Sequence, residues 1–170
     1  LNALRPEMLT EAARLVEQAS DDPEVKVIVL RGAGRAFSAG VDLKVLQGIK
    51  PEGGIIGNVF DEPAARLAAA IRDSNVPVIA RAAGACFTGA LEVALHCDFV
   101  YTTDTTKFGD THTKFGLRPT WGSRKRCRGL SASDVLESCP LRRESSPVRK
   151  PLNGVSPMPV SRRRRSSTRH

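Results

Sequence analysis

Apolar residues recur at Met8, Leu9, Ala12, Leu15, Val16 and Ala19, the spacing of a helix packed on one face. Pro6 stands where a first helical turn tolerates a missing N–H, and Asp21-Asp22-Pro23 predicts the stop. Val25 to Leu30 is short and rich in β-branched residues, so it reads as a buried strand. The helical period returns from Pro63 to Arg72 through Ala65, Leu67, Ala68 and Ile71. Val76 to Ala80 predicts a second strand, with its proline near the start where a ladder can spare a donor. Gly89 to His96 then reads as a short helix and Cys97 to Thr103 as a third strand. Strands alternating with helices at this spacing predict βαβ-type units and an α/β core.

Past Gly122 the pattern stops. Residues 123–170 contain no aromatic residue and are dominated by Ser, Pro and Arg, with a run from Arg162 to Arg165. Such a segment cannot bury enough apolar surface to order itself, so it is expected to be a disordered tail. The division is 1–122 for the core and 123–170 for the tail. Charge follows it: residues 1–122 hold 13 Lys and Arg against 15 Asp and Glu, while 123–170 hold 13 against 3. The net +8 of the chain therefore belongs to the tail. Three readings of the tail are open: a binder of nucleic acid or anionic surfaces, a solvated linker, or an out-of-frame translation. The abrupt loss of aromatics favours the last. The chain opens at Leu1-Asn2-Ala3-Leu4, directly before a helix and without an initiator Met, and is expected to be truncated there. The stretch from Ile49 to Asn58 is Gly-rich and expected to be mobile.

Four cysteines (Cys86, Cys97, Cys127 and Cys139) form no CxxC pair and have no His at ligand spacing. Buried thiols in a reducing cytoplasm are the simpler reading, and no metal is expected. No apolar run approaches a membrane span.

Two small-residue loops follow buried strands and can present bare backbone N–H groups. One is Ala36 to Leu43; the other is Gly84 to Glu92, which runs into a helix. Free N–H groups at a helix start attract an anion. Two donors on one oxygen make an oxyanion hole, where each contributes about 3–4 kcal/mol to a transition state. Glu92 lies one turn past Gly89 on the same helix face, so a donor and a candidate base look into one pocket.

Here a resemblance appears. Ala36-Phe37-Ser38-Ala39-Gly40-Val41-Asp42-Leu43 resembles the AF-[SA]-AG-x-D-[LI] signature of the crotonase superfamily (enoyl-CoA hydratase/isomerase family). Thr88-Gly89-Ala90-Leu91-Glu92 with Ala94 and Cys97-Asp98 is similar to its GG-x-x-E-[LV]-A…CD segment. Phe108-Gly109, Gly116-Leu117-Arg118-Pro119 and Gly122 also fit, and the likeness spans about 1–122. Three ordered segments are far more specific than one. The resemblance implies a crotonase spiral core of ββα units, truncated at both ends, that acts on acyl-CoA thioesters through an enolate. It implies that the N–H groups of Val41 and Gly89 hold the thioester oxygen, and that Ala39 and Val41 to Lys44, with Asp42 and Leu43 between, lie along the CoA. It implies no cofactor beyond the CoA of the substrate, and a trimer or dimer of trimers built through C-terminal helices. Hydratases of the family use two glutamates. Glu92 matches the first, but where the family writes F-x-x-PE this chain has Phe108-Gly109-Asp110-Thr111-His112, so His112 stands in the second place. His112 can serve as a base near neutral pH or sit in a relative that runs isomerisation on one acid/base group. Both readings stay open. An inactive CoA-binding fragment and a nucleic-acid-binding fragment are the alternatives from another class.

Gly32-Ala33-Gly34 imitates a dinucleotide fingerprint, but its third glycine is missing and no helix is predicted at Phe37. His96, beside Cys97, reads as a packed or hydrogen-bonded residue, and Trp121 as a core or pocket-wall residue. Glu92 on an apolar segment must face a cavity or find partners, because unpaired burial is costly.

Overall fold

The computed structural model describes residues 1–49 and 57–122, together with the backbone of one strand at 155–159. Helix α1 (Pro6–Asp21) starts on Pro6 and buries Leu9, Ala13 and Val16. Helix α3 (Asn58–Asp73) lays Phe60, Ala64, Leu67, Ala68 and Ile71 into the same core. Each large apolar side chain taken out of water there contributes about 1.5–3 kcal/mol. An exposed ion pair, Arg66 to Glu17 at 2.7 and 3.1 Å, crosses the seam between the helices and adds little to that. The predicted helix start at Pro63 was five residues late. Pro63 lies inside α3, where its ring removes only one bond near the N-terminal end. The Gly-rich stretch expected to be mobile falls largely on residues 50–56, outside the described residues, while Asn58 opens α3.

Strands β1 (Ile28–Arg31), β2 (Val78–Ala82) and β4 (Phe99–Thr103) form a parallel sheet in that order. Val78, Ala80 and Ala82 alternate into the core, as a pleated strand requires. Each strand begins two or three residues later than its apolar run suggests. Val25 is instead held in a turn by its N–H bond to Asp22 O at 3.1 Å. The Asp98 carboxylate accepts the Val78 N–H at 2.9 Å, closing the entry to β2. Strand β6 (Val155–Pro159) runs antiparallel along the outer edge of β4, at a place where the sequence shows no strand period. Pro157 and Pro159 are two apart, so both missing donors fall on one edge, as an edge strand permits. The remainder of 123–170, including the expectation of disorder, lies outside the described residues.

Two three-residue strands, β3 (Ala85–Phe87) and β5 (Lys107–Gly109), make a second parallel pair. The first falls in a segment read as loop and the second where no element was assigned, because three residues are too few to display a period. Short helix α2 (Leu43–Gln47), helix α4 (Gly89–His96) and a 3-10 turn (His112–Phe115) complete the described elements. Helix α4 has the predicted bounds. The α/β expectation and the spiral core are met.

Candidate active site

The two small-residue loops are zipped together by main chain. Phe37 N–H donates to Ala83 O at 2.7 Å, Ser38 N–H to Ala85 O at 3.0 Å, and Phe87 N–H returns to Ser38 O at 3.2 Å. Gly40 then turns with φ +95°, and a Cβ there would collide with Thr88 Oγ1. The residue before Val41 thus lies against the residue before Gly89. On its other side the loop pairs with Leu4, whose N–H donates to Gly40 O and whose carbonyl accepts the Asp42 N–H, both at 2.8 Å. Strand alternation leaves the Val41 N–H on the edge turned away from Leu4. Among the described residues, neither the Val41 nor the Gly89 N–H donates to a backbone oxygen.

Thr88 sets the direction of α4. Its φ is +46°, a region a β-branched residue rarely enters, and strain of this kind gathers at functional turns. The family pattern writes glycine at this position, and the backbone shows why. Thr88 is held by its N–H bond to Gly109 O at 2.8 Å. Gly89 opens the helix with its amide at the positive end of the macrodipole. The Trp121 indole lies against its Cα, leaving no room for a side chain. That ring is tethered: Nε1 donates to Asp61 at 2.9 Å, Thr120 Oγ1 donates to the same oxygen at 2.8 Å, and the Trp121 carbonyl bonds His96 Nε2 at 2.6 Å.

Glu92 is buried, 2% exposed, one turn into α4. The parallel pairing of β3 with β5 brings a second acid/base group to it. Phe87 and Gly109 are register partners, so the chain segments that leave the two strands start side by side at their carboxyl ends. One leads to Glu92 and the other to His112. His112 Nε2 stands 3.5 Å from Glu92 Oε2, and its Nδ1 stands 2.5 Å from Asp110 Oδ1. The same Asp110 oxygen accepts the His112 backbone N–H at 3.0 Å.

The structure therefore gathers Val41, Gly89, Glu92 and His112 around the junction of two loops. The residues expected along the CoA fall on the outer side. Leu43 and Lys44 are exposed on α2, and Asp42 caps that helix by accepting the Lys44 N–H at 2.9 Å. Asp42 also pairs with Arg5 at 3.0 Å. The Lys44 N–H, first among causes, and Arg5 hold the Asp42 carboxyl below its ordinary range. Ala39 is half-buried, with its N–H bonded to Leu1 O at 3.0 Å. His96 is hydrogen-bonded, matching the bland reading, and Trp121 is buried beside the site. Gly32 is required by close packing on Ala36 and Phe37, and no helix begins at Phe37. Among the described residues no cluster of His, Cys, Asp and Glu is arranged to hold a metal ion, and no helix is long and apolar enough to cross a membrane. Sequence reasoning missed Asp110, Asp61 and the strain at Thr88. Two of these left a signal: Asp110 stands two positions before the unusual histidine, and Thr88 stands where the family pattern has glycine.

The sequence profile of the family described as "Enoyl-CoA hydratase/isomerase" matches residues 1–143, running past Gly122. The chain is 32% identical over 138 residues to an Arabidopsis thaliana protein named "Probable enoyl-CoA hydratase 1, peroxisomal", covering 81% of this chain and 50% of that protein. It is 30% identical over 127 residues to the crotonyl-CoA hydratase of Syntrophomonas wolfei, covering 74% and 48%. A crystal structure of an enoyl-CoA hydratase from Polaromonas sp. JS666 superposes with a TM-score of 0.70 at 30% identity, over 79% of this chain and 53% of that one. The chain spans about half the length of these relatives. With its fold, its two joined loops and these likenesses agreeing, the chain belongs to the enoyl-CoA hydratase/isomerase family of the crotonase superfamily.

Proposed function

We propose that this chain carries the thioester-holding and proton-transfer parts of a 2-enoyl-CoA hydratase. In this reading the Val41 and Gly89 amides donate to the thioester oxygen. Charge grows on that oxygen as water adds to the β-carbon. Donors fixed before reaction stabilise the enolate without reorganisation. One of Glu92 and His112 takes the proton from water, and the other delivers a proton to the α-carbon. The reading is carried by one observation: a buried glutamate and a histidine face each other at 3.5 Å, one helical turn from the junction of the loops. Two acid/base groups support hydration over a reaction that needs one. CoA is part of the substrate, and no other cofactor enters the scheme. Cys86, a buried thiol, supports a reducing cytoplasm. A homotrimer or hexamer belongs to the same proposal, and light scattering of the purified chain tests it. The relatives' names support acyl-CoA chemistry over a role led by the basic tail.

The test is to incubate the chain with a short 2-enoyl-CoA and follow loss of the conjugated-thioester absorbance. Loss of absorbance that requires Glu92 supports hydration. Gain of absorbance from a 3-enoyl-CoA, with no hydration, reassigns the site to isomerisation. No change with either substrate overturns the reading.

A further inference from the structure

We infer that Asp110 is a positioning residue that fixes the ring of His112 with its hydrogen on Nδ1, so that Glu92 and His112 hold one proton between them. The geometry carries this. Asp110 Oδ1 receives both the backbone N–H and the ring Nδ1 of His112, at 3.0 and 2.5 Å. The Asp110 oxygen that accepts the backbone N–H is the acceptor for the ring as well, so Nδ1 carries the hydrogen. Two bonds from one residue to one oxygen lock both the backbone and the ring of His112. Nε2 then faces Glu92 Oε2 at 3.5 Å. A neutral imidazole would present a lone pair there, and so would a glutamate anion. One proton in the gap, carried by either group, removes that repulsion. Glu92 on α4 and Asp110 on the turn before the ring are the charged groups in ion-pair reach of His112 among the described residues. Lys114, on the same 3-10 turn, is exposed.

This deepens the hydratase reading and rests on it for its chemistry. A pair with one proton is what water addition needs. The protonated member gives its hydrogen to the α-carbon while the other takes one from water. The pair ends the cycle with the proton count it began with. Asp110 touches no substrate in this scheme; it acts through His112 by choosing which nitrogen is available.

The test uses the whole chain and needs no substrate. Long-range 1H–15N spectra of the imidazoles, assigned with His112→Gln, report which nitrogen carries hydrogen. The wild type should show His112 protonated at Nδ1 across the neutral range. Asp110→Ala, which removes the accepting oxygen, should move the neutral ring toward the Nε2–H form, and Asp110→Glu should restore part of the original pattern. A wild-type ring in the Nε2–H form, or an unchanged ring in Asp110→Ala with native near-UV circular dichroism, overturns the inference. In turnover, Asp110→Ala should lower kcat by about 10²-fold, the lower end for one acid/base group, with KM little changed and the acidic limb of the pH profile displaced. The same change should have no further effect when added to His112→Ala. A full additional loss in that background means Asp110 does not act through the ring, and overturns the inference too. The two readings fail separately: an Nδ1–H signature without turnover sinks the hydratase reading alone, and turnover with an Nε2–H ring sinks only this one.

Discussion

The six-membered ring of Trp121 stands where a side chain at Gly89 would have to go, with Cζ3 2.5 Å and Cη2 2.9 Å from an ideal Cβ. Gly89→Ala therefore cannot be accommodated without moving an indole that is bonded to Asp61. We expect Gly89→Ala to lower stability by about 1–3 kcal/mol, the usual cost of overpacking. Trp121→Leu in the same chain should recover much of that loss. Urea unfolding of the two single variants and the double variant measures it. A coupling energy below about 0.5 kcal/mol, typical of independent sites, would show that the ring is not seated on Gly89.

Glu92→Gln keeps the size of a buried side chain and removes its ability to exchange a proton. We expect kcat on a 2-enoyl-CoA to fall by about 10²- to 10⁴-fold, while affinity for the thioester, read by calorimetry, stays close to wild type. Near-normal turnover would take Glu92 out of the chemistry.

The Asp42 carboxyl lies below its ordinary range because it accepts the Lys44 N–H and pairs with Arg5. A carboxyl lowered in the folded state contributes stability above the unfolded value of about 3.9. That contribution is lost as pH falls through the lower, folded value. Asp42→Asn should therefore be less stable than wild type at neutral pH, and the gap should close in acid. Urea midpoints measured from neutral pH into the acid range decide it. A gap of constant size would mean that charge plays no part in the cap.

Burial, with a smaller contribution from Cys97, pushes the Cys86 thiol up to about 12. The folded thiol stays neutral where an unfolded one, near 8.5, has lost its proton. Between those values the unfolded chain binds fewer protons, so stability should fall as pH rises through this window. Native protein at pH 8 should leave Cys86 unlabelled by a thiol reagent, and labelling should track unfolding in urea. Rapid labelling of Cys86 in the native state would contradict its burial.

How much of this was legible in the residues depends on scale. Helix α1 follows from its apolar period with Pro6 and Asp21-Asp22-Pro23 marking its ends, and α4 has its predicted bounds, because eight residues or more show a pattern. The parallel core strands were found, though each begins after its apolar run does, since Val25 and Val76 precede the pairing. Strands β3 and β5 were invisible because three residues carry no pattern, yet their pairing is what sets His112 beside Glu92. Gly89, Val41 and Glu92 were nameable from loop composition and the family likeness. Asp110 was not, because its role depends on an oxygen placed by a turn. The Trp121 tether to Asp61 spans 60 positions, which no local pattern reveals.

The parallel pairing of β3 with β5 also separates two tasks. The amides proposed to grip the carbonyl belong to loops tied by main-chain bonds, whereas the residue at position 112 arrives on a separate arm. A change at that one position can alter how protons are managed without disturbing the anchorage of the thioester. On the proposed reading, then, the grip and the chemistry of this chain are set by different segments, and a substitution at position 112 leaves the bonds between the two loops in place.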